Sequence, residues 1–321
     1  MRFQGYEFSE PMVFGIGSGI FFSYFPFIKL NGIPVTSYRI LPGAIFQRFT
    51  RRLGIKVERH TYSSIPKAMA ELDAKLDSGV PVGMLSSVFY LTYLPDAYRF
   101  HFNAHNIVVF GKEGNDYLVS DPVMDYTTTI SSEDLIRARF AKGIPEPKGA
   151  MYHPVVLPKE YNMEKAIWMG IKRAGFDLTE IPIPIFGTKG MRYLAKRLRS
   201  WPEKLGNKRA IQYLASIVRM QEEIGTGGGG FRFIYAAFLD EASKIVQDDE
   251  LYDLSKQLTV TGDKWRHFAY NAGRICKSRK SDVMSFGELA DIILQCADDE
   301  DRIFGRLYQK GKEHDRSFVY S

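Results

Sequence analysis

Apolar residues return at helical spacing at Ala68, Met69, Leu72 and Leu76, with Ser64 and Pro66 before them and Gly79 after, which predicts a helix over 64–79. The run Val80-Pro81-Val82-Gly83-Met84-Leu85 that follows reads as a short buried strand, with Pro81 near its start where a missing N–H is tolerated. A β-branched run from His105 to Phe110 and a second run from Tyr117 to Ser120 flank Lys112-Glu113-Gly114-Asn115-Asp116, the chemistry of a tight turn. A hairpin closed near Gly114 carries His105 to the outer end of one strand and Asp121 to the outer end of the other. Facing or diagonal positions of an antiparallel pair lie about 4.5–8 Å apart at Cβ, so the imidazole and the carboxylate come within reach of each other.

Pro11 through Ile28 carries no charge, and its length touches the lower edge of a membrane span. Gly15, Gly17, Gly19 and Pro26 weaken a helix there and Glu7 and Glu10 crowd its start, so the segment is expected to be a buried strand and loop. Neither a membrane span nor a secretory signal is expected. After Phe140, the residues Gly143, Pro145, Pro147, Gly149, Pro154 and Pro158 predict an irregular joint that divides the chain into domains 1–155 and 160–321. Helical periodicity then dominates, through Ile211, Leu214, Ala215 and Val218, through Phe231, Ile234, Tyr235, Phe238 and Ala242, and through Leu289, Ile292, Ile293 and Cys296. Gly225-Thr226-Gly227-Gly228-Gly229-Gly230 reads as a flexible hinge or open loop between two of these helices. The expected class is α+β, an antiparallel sheet domain followed by an all-helical one.

Composition narrows the function classes. At 321 residues, 45% hydrophobic and 25% charged, the chain has room for about two ordinary cores, which excludes a disordered, collagen-like or polytopic membrane protein. Two cysteines, Cys276 and Cys296, cannot build a disulfide framework or a four-thiolate zinc site, and a reducing, cytoplasmic setting is the expectation. The net charge of +6 permits an acidic partner. Basic residues gather at Arg48, Arg51 and Arg52, at Lys189, Arg192, Lys196, Arg197 and Arg199, and at Lys277, Arg279 and Lys280. No recognition motif accompanies them, so nucleic acid is not an expected partner.

Gly15-Ile16-Gly17-Ser18-Gly19-Ile20 is not a dinucleotide fingerprint, because the third glycine would fall at Ile20. It reads as a turn whose backbone passes close to another element, with a pocket-lining loop as the alternative. Gly227 to Gly230 precede Phe231-Arg232, which is no phosphate loop, and His101 with His105 precede a strand, which argues against a zinc helix. His105 with Asp121 has two readings. One is a buried histidine satisfied by a strand-end carboxylate. The other is a base whose tautomer Asp121 fixes while the second ring nitrogen takes a proton from a nucleophile. No cofactor or metal is called for.

Five segments in order resemble the N-terminal domain of the butirosin biosynthesis protein H family: Glu10 to Gly19, Ser37 to Gly43, Pro81-Val82-Gly83, His101 to Asn106, and Ser120-Asp121-Pro122-Val123. Residues from about 160 resemble the helical domain of unassigned function that follows it. The resemblance implies a papain-like α+β fold and acyl transfer from a carrier-protein thioester to an amine, with an acyl carrier protein and a small amine as partners. It carries His105 over as base and Asp121 as orienter, and suggests Ser18 and Asn103 as pocket-lining residues. The family's nucleophilic cysteine and its helix precede the segment that here begins at Arg2, and no cysteine occurs before Cys276. The expectation is therefore either that the thiol lies upstream or that the protein is a noncatalytic binding or scaffold relative; a peptidase or amidase activity is a further alternative. Without that helix, apolar sheet surface is expected to stay uncovered. Arg192, Lys196 and Arg199, at helical spacing, are the expected docking face for an acidic carrier.

Overall fold

The first helix, α1 (Glu10–Ile16), forms where a strand and loop were expected, because Ser9 caps it by accepting from the Met12 N–H at 3.1 Å and Pro11 sits in its first turn. The computed structural model describes residues 5, 7–143, 145–223, 227–277 and 284–317. The glycines that weaken the helix on propensity are there for close approach. A Cβ on Gly15 would lie 2.0 Å from the Phe238 ring, and one on Gly19 would lie 2.4 Å from the Phe14 ring. The strand of this segment follows as β1 (Ile20–Leu30), paired antiparallel with β2 (Ile33–Arg39), and α2 (Pro42–Arg52) comes next. Among the described residues no helix is long and apolar enough to cross a membrane.

Then come β3 (Lys56–His60), α3 (Ile65–Asp77), β4 (Val82–Ser86), β5 (His105–Glu113), β6 (Asp116–Ser120), β7 (Thr128–Ser131), α4 (Ser132–Arg139) and β8 (Met151–Val156). The six strands form one antiparallel sheet in the order β3-β8-β4-β5-β6-β7. Alternation sends Val82 and Met84, Ile107 and Val109, Tyr117 and Val119, and Ile130 to one face, where they pack with Ala68 and Leu72 of α3 and Leu135 and Ala138 of α4. On the other face of β5, Val108 and Phe110 are each 39% exposed.

The rest is helical: α5 (Met163–Gly175), which runs into a π-helical turn at Phe176–Glu180, α6 (Gly187–Arg199), α7 (Trp201–Leu205), α8 (Asn207–Glu222), α9 (Arg232–Val246), α10 (Asp249–Cys276) and α11 (Phe286–Ser317). The chain divides into two compact units, one of residues 1–7 and 54–159 and one of residues 8–53 and 160–321. Residues 8–53 cluster with the helices of the second unit. The reason is the aromatic content of the segment. Phe14 stacks on Phe231 with centroids 5.3 Å apart, Phe22 on Trp265 at 6.2 Å, and Tyr24 lies 6.4 Å from Trp201.

The glycine run is not an open loop where it is described; Gly225 and Thr226 lie outside the described residues. Gly227, Gly228, Gly229, Gly230 and Phe231 all take positive φ, at 64°, 82°, 58°, 58° and 69°. Gly229, Gly230 and Phe231 are buried, and a Cβ on Gly230 would fall 2.4 Å from the Tyr38 ring. Here glycine serves both the left-handed backbone and the close approach of an aromatic side chain.

Candidate active site

His105 opens β5 and Asp121 follows the last residue of β6. Near the turn the pairs are Glu113 with Asp116 and Gly111 with Leu118, but beyond it Val109 faces Val119, so Phe110 is an extra residue in β5. This bulge decides the site. Continued without it, the turn-proximal register would set Asp121 opposite Val108, on the other face from His105; with it, Asp121 falls opposite Ile107 and shares the His105 face. The imidazole then reaches the carboxylate diagonally, with Nε2 at 2.8 Å from Oδ2 and 3.0 Å from Oδ1. The pair sits where the buried face runs out: the Asp121 side chain is fully buried and that of His105 is 14% exposed.

Two more donors fix the carboxylate. The Val123 N–H donates to Oδ1 at 3.0 Å, in a turn started by Asp121-Pro122, and the Tyr93 hydroxyl donates to Oδ2 at 2.6 Å. Burial pushes the Asp121 carboxyl up, but the bonds from His105, Tyr93 and Val123 outweigh it and hold it below the usual carboxylate range. The Tyr93 hydroxyl is pushed up, by burial and by its bond to Asp121, so it stays a donor. The second ring nitrogen of His105, Nδ1, has no hydrogen bond among the described residues. An anchored imidazole with one nitrogen held by a carboxylate and the other free is a group that can take up and return a proton.

Tyr93 was not legible from the sequence, since it lies in the irregular stretch after a short helical turn at Val88–Tyr90 and no spacing links it to Asp121. Tyr93→Phe should leave the fold intact, lower stability by about 1–3 kcal/mol and raise the Asp121 pKa. A carboxyl depressed in the folded state contributes stability above its unfolded value, about 3.9, and that stability disappears as pH falls through the folded value. In Tyr93→Phe the window between the unfolded and folded values narrows, so the acid loss due to Asp121 is smaller and is complete at higher pH than in the parent, which denaturation midpoints between pH 2 and 5 would record; the same pH dependence in both proteins would disprove the role.

Asn103 belongs to the same unit, but its amide donates to the Lys142 carbonyl at 3.1 Å, which occupies it as a buried loop tie. Ser18 belongs to the other unit and is buried there, its hydroxyl donating to the Gly170 carbonyl at 2.9 Å and accepting from Arg52 at 2.8 Å. His101 stacks on Phe89 with centroids 4.1 Å apart, in irregular backbone and not on a zinc helix.

Both cysteines lie in the helical unit. Burial pushes the Cys276 thiol up, and burial followed by the Glu300 charge pushes the buried Cys296 thiol well up, the reverse of an activated nucleophile. Among the charges expected to form a docking face, Arg192 pairs with Asp298 at 2.7 Å and Arg199 pairs with Asp291, so α11 neutralises much of that side of α6. Arg279 and Lys280 lie outside the described residues.

Comparison with known families places two matches on the chain. The family model described as butirosin biosynthesis protein H, N-terminal, covers residues 1–122, and that described as a domain of unknown function (DUF4872) covers residues 133–307. The first therefore spans both compact units and contains His105 and Asp121, and the second begins at α4, ahead of the 155–160 joint. No curated protein matches the chain.

Proposed function

The chain belongs to the family in which a butirosin biosynthesis protein H N-terminal domain is followed by the DUF4872 domain, and on that footing we propose that it carries the base of a biosynthetic acyltransferase centre. The supporting observation is the buried Asp121 carboxylate holding Nε2 of His105 while Nδ1 stays unbonded. In this reading, a papain-like centre of thiol, imidazole and carboxylate moves an acyl group from a carrier-protein thioester to a small amine in the cytoplasm, with no cofactor. Nδ1 takes the proton of an attacking thiol, the thiolate adds to the thioester carbonyl, and the carrier thiolate leaves with that proton. The amine then attacks the acyl-enzyme, its proton passes to His105, and the enzyme thiol is released as the amide forms. Neither Cys276 nor Cys296 has the surroundings of such a thiol, so in this reading the chain contributes the base and not the nucleophile.

The test is mass spectrometry of the full product of the gene after incubation with an acyl thioester of N-acetylcysteamine or of a carrier protein. An acyl adduct that added amine discharges and that His105→Ala fails to form or discharge is the expected result. A protein that binds the acyl carrier yet never becomes acylated would overturn the enzyme reading in favour of a noncatalytic binding relative.

A further inference from the structure

The hairpin of β1 and β2 ends in an apolar tip, with Phe27 70%, Ile28 47% and Leu30 68% exposed. Beside it lies a cleft of ≈ 760 Å³ bounded by Asn31, Gly32 and Ile33 of the hairpin and by one face of α8. From Lys208 and Arg209 through Gln212 to Arg219, the α8 positions recur at helical steps and line about 16 Å of the helix axis. No carboxylate lines the cleft. Arg209 covers the Tyr213 ring with its guanidinium 5.8 Å from the centroid, and Arg219 lies 3.9 Å from Glu223. Among the described residues, Lys208 and Arg209 are not ion-paired to an acidic helix, unlike Arg192 and Arg199.

Three large apolar side chains exposed within four positions exceed the scattered exposure of an ordinary surface, and they adjoin a cleft whose charged lining residues, Lys208, Arg209 and Arg219, are all cationic. We propose that the cleft and hairpin tip together dock an acidic amphipathic helix of a partner protein, carboxylates against Lys208 and Arg209 and apolar residues against Phe27, Ile28 and Leu30. A bilayer surface could accept the apolar tip, but it cannot enter a channel running along α8, so the concave geometry favours a protein segment. None of the residues used belongs to the proposed acyl-transfer centre, and the inference does not depend on that reading.

The experiment places p-benzoylphenylalanine at Gln212 of the full chain in the producing cell, cross-links with light and sequences the adduct. The expected adduct is a partner segment of net negative charge. Made as a synthetic peptide, that segment should lose at least about tenfold in affinity for Lys208→Glu/Arg209→Glu and for Phe27→Ser/Leu30→Ser, and bind more weakly as salt rises. Lys196→Glu on α6 should change nothing. A lipid adduct, a neutral or basic segment, no adduct, or a peptide indifferent to the charge reversal would each overturn the proposal.

Discussion

Replacing His105 with alanine should lower acyl transfer on the order of 10²–10⁴-fold, the usual contribution of a positioned base, while the protein stays folded. The fold tolerates the change because the Asp121 carboxylate keeps its bonds from Tyr93 and Val123, so the buried acceptor is not left unsatisfied. Asp121→Asn is the companion variant. It preserves shape but removes the negative charge facing Nε2, and the rate should fall at least about tenfold although the ring stays in place. Together the two variants separate a working base from a merely satisfied histidine. A structural pair would shift the melting temperature and leave the rate alone, whereas a catalytic pair lowers the rate. Wild-type turnover in both variants would remove His105 from the mechanism.

The turn at Gly114 and the two β-branched runs predict the hairpin and bring His105 and Asp121 to the same end of it. They do not predict the shared face, because that depends on the single extra residue at Phe110, and composition does not announce a bulge. Tyr93 was invisible for a related reason: the contact is long-range and its backbone is irregular. The helix over 64–79 and the helices of the second half were legible because period and caps agree. At Glu10–Ile16 propensity misled, since glycine's cost in a helix was offset by tertiary packing against Phe238. The grouping of residues 8–53 with the helices is not legible in local sequence either, because the aromatic partners of Phe14, Phe22 and Tyr24 are more than 150 positions away.

The largest expected effect on stability lies at the centre of the helical unit. Arg232 and Glu300 have no solvent exposure, and they meet as a two-pronged pair, Nε to Oε1 and Nη2 to Oε2, each at 2.8 Å. Trp265 Nε1 donates to Oε1 at 2.7 Å, the Tyr38 and Trp265 rings lie 5.6 and 5.4 Å from the guanidinium carbon, and Nη1 donates to the Gly230 carbonyl at 2.7 Å. One ion pair therefore also anchors the left-handed run that leads into α9. Glu300→Ala would leave a buried guanidinium without its counter-charge and an indole N–H without its acceptor, at a cost of about 3–5 kcal/mol, a large share of the roughly 5–15 kcal/mol that holds a domain folded. Removing both charges should hurt less than removing one. Arg232→Met/Glu300→Leu is expected to recover much of the loss, because well-packed apolar groups need no compensation for desolvation. Urea unfolding followed by Trp fluorescence, which reports on Trp168, Trp201 and Trp265, all buried in the helical unit, would measure both. A Glu300→Ala midpoint within about 1 kcal/mol of the parent, or a double variant no more stable than the single, would mean that the pair is better solvated than its burial indicates.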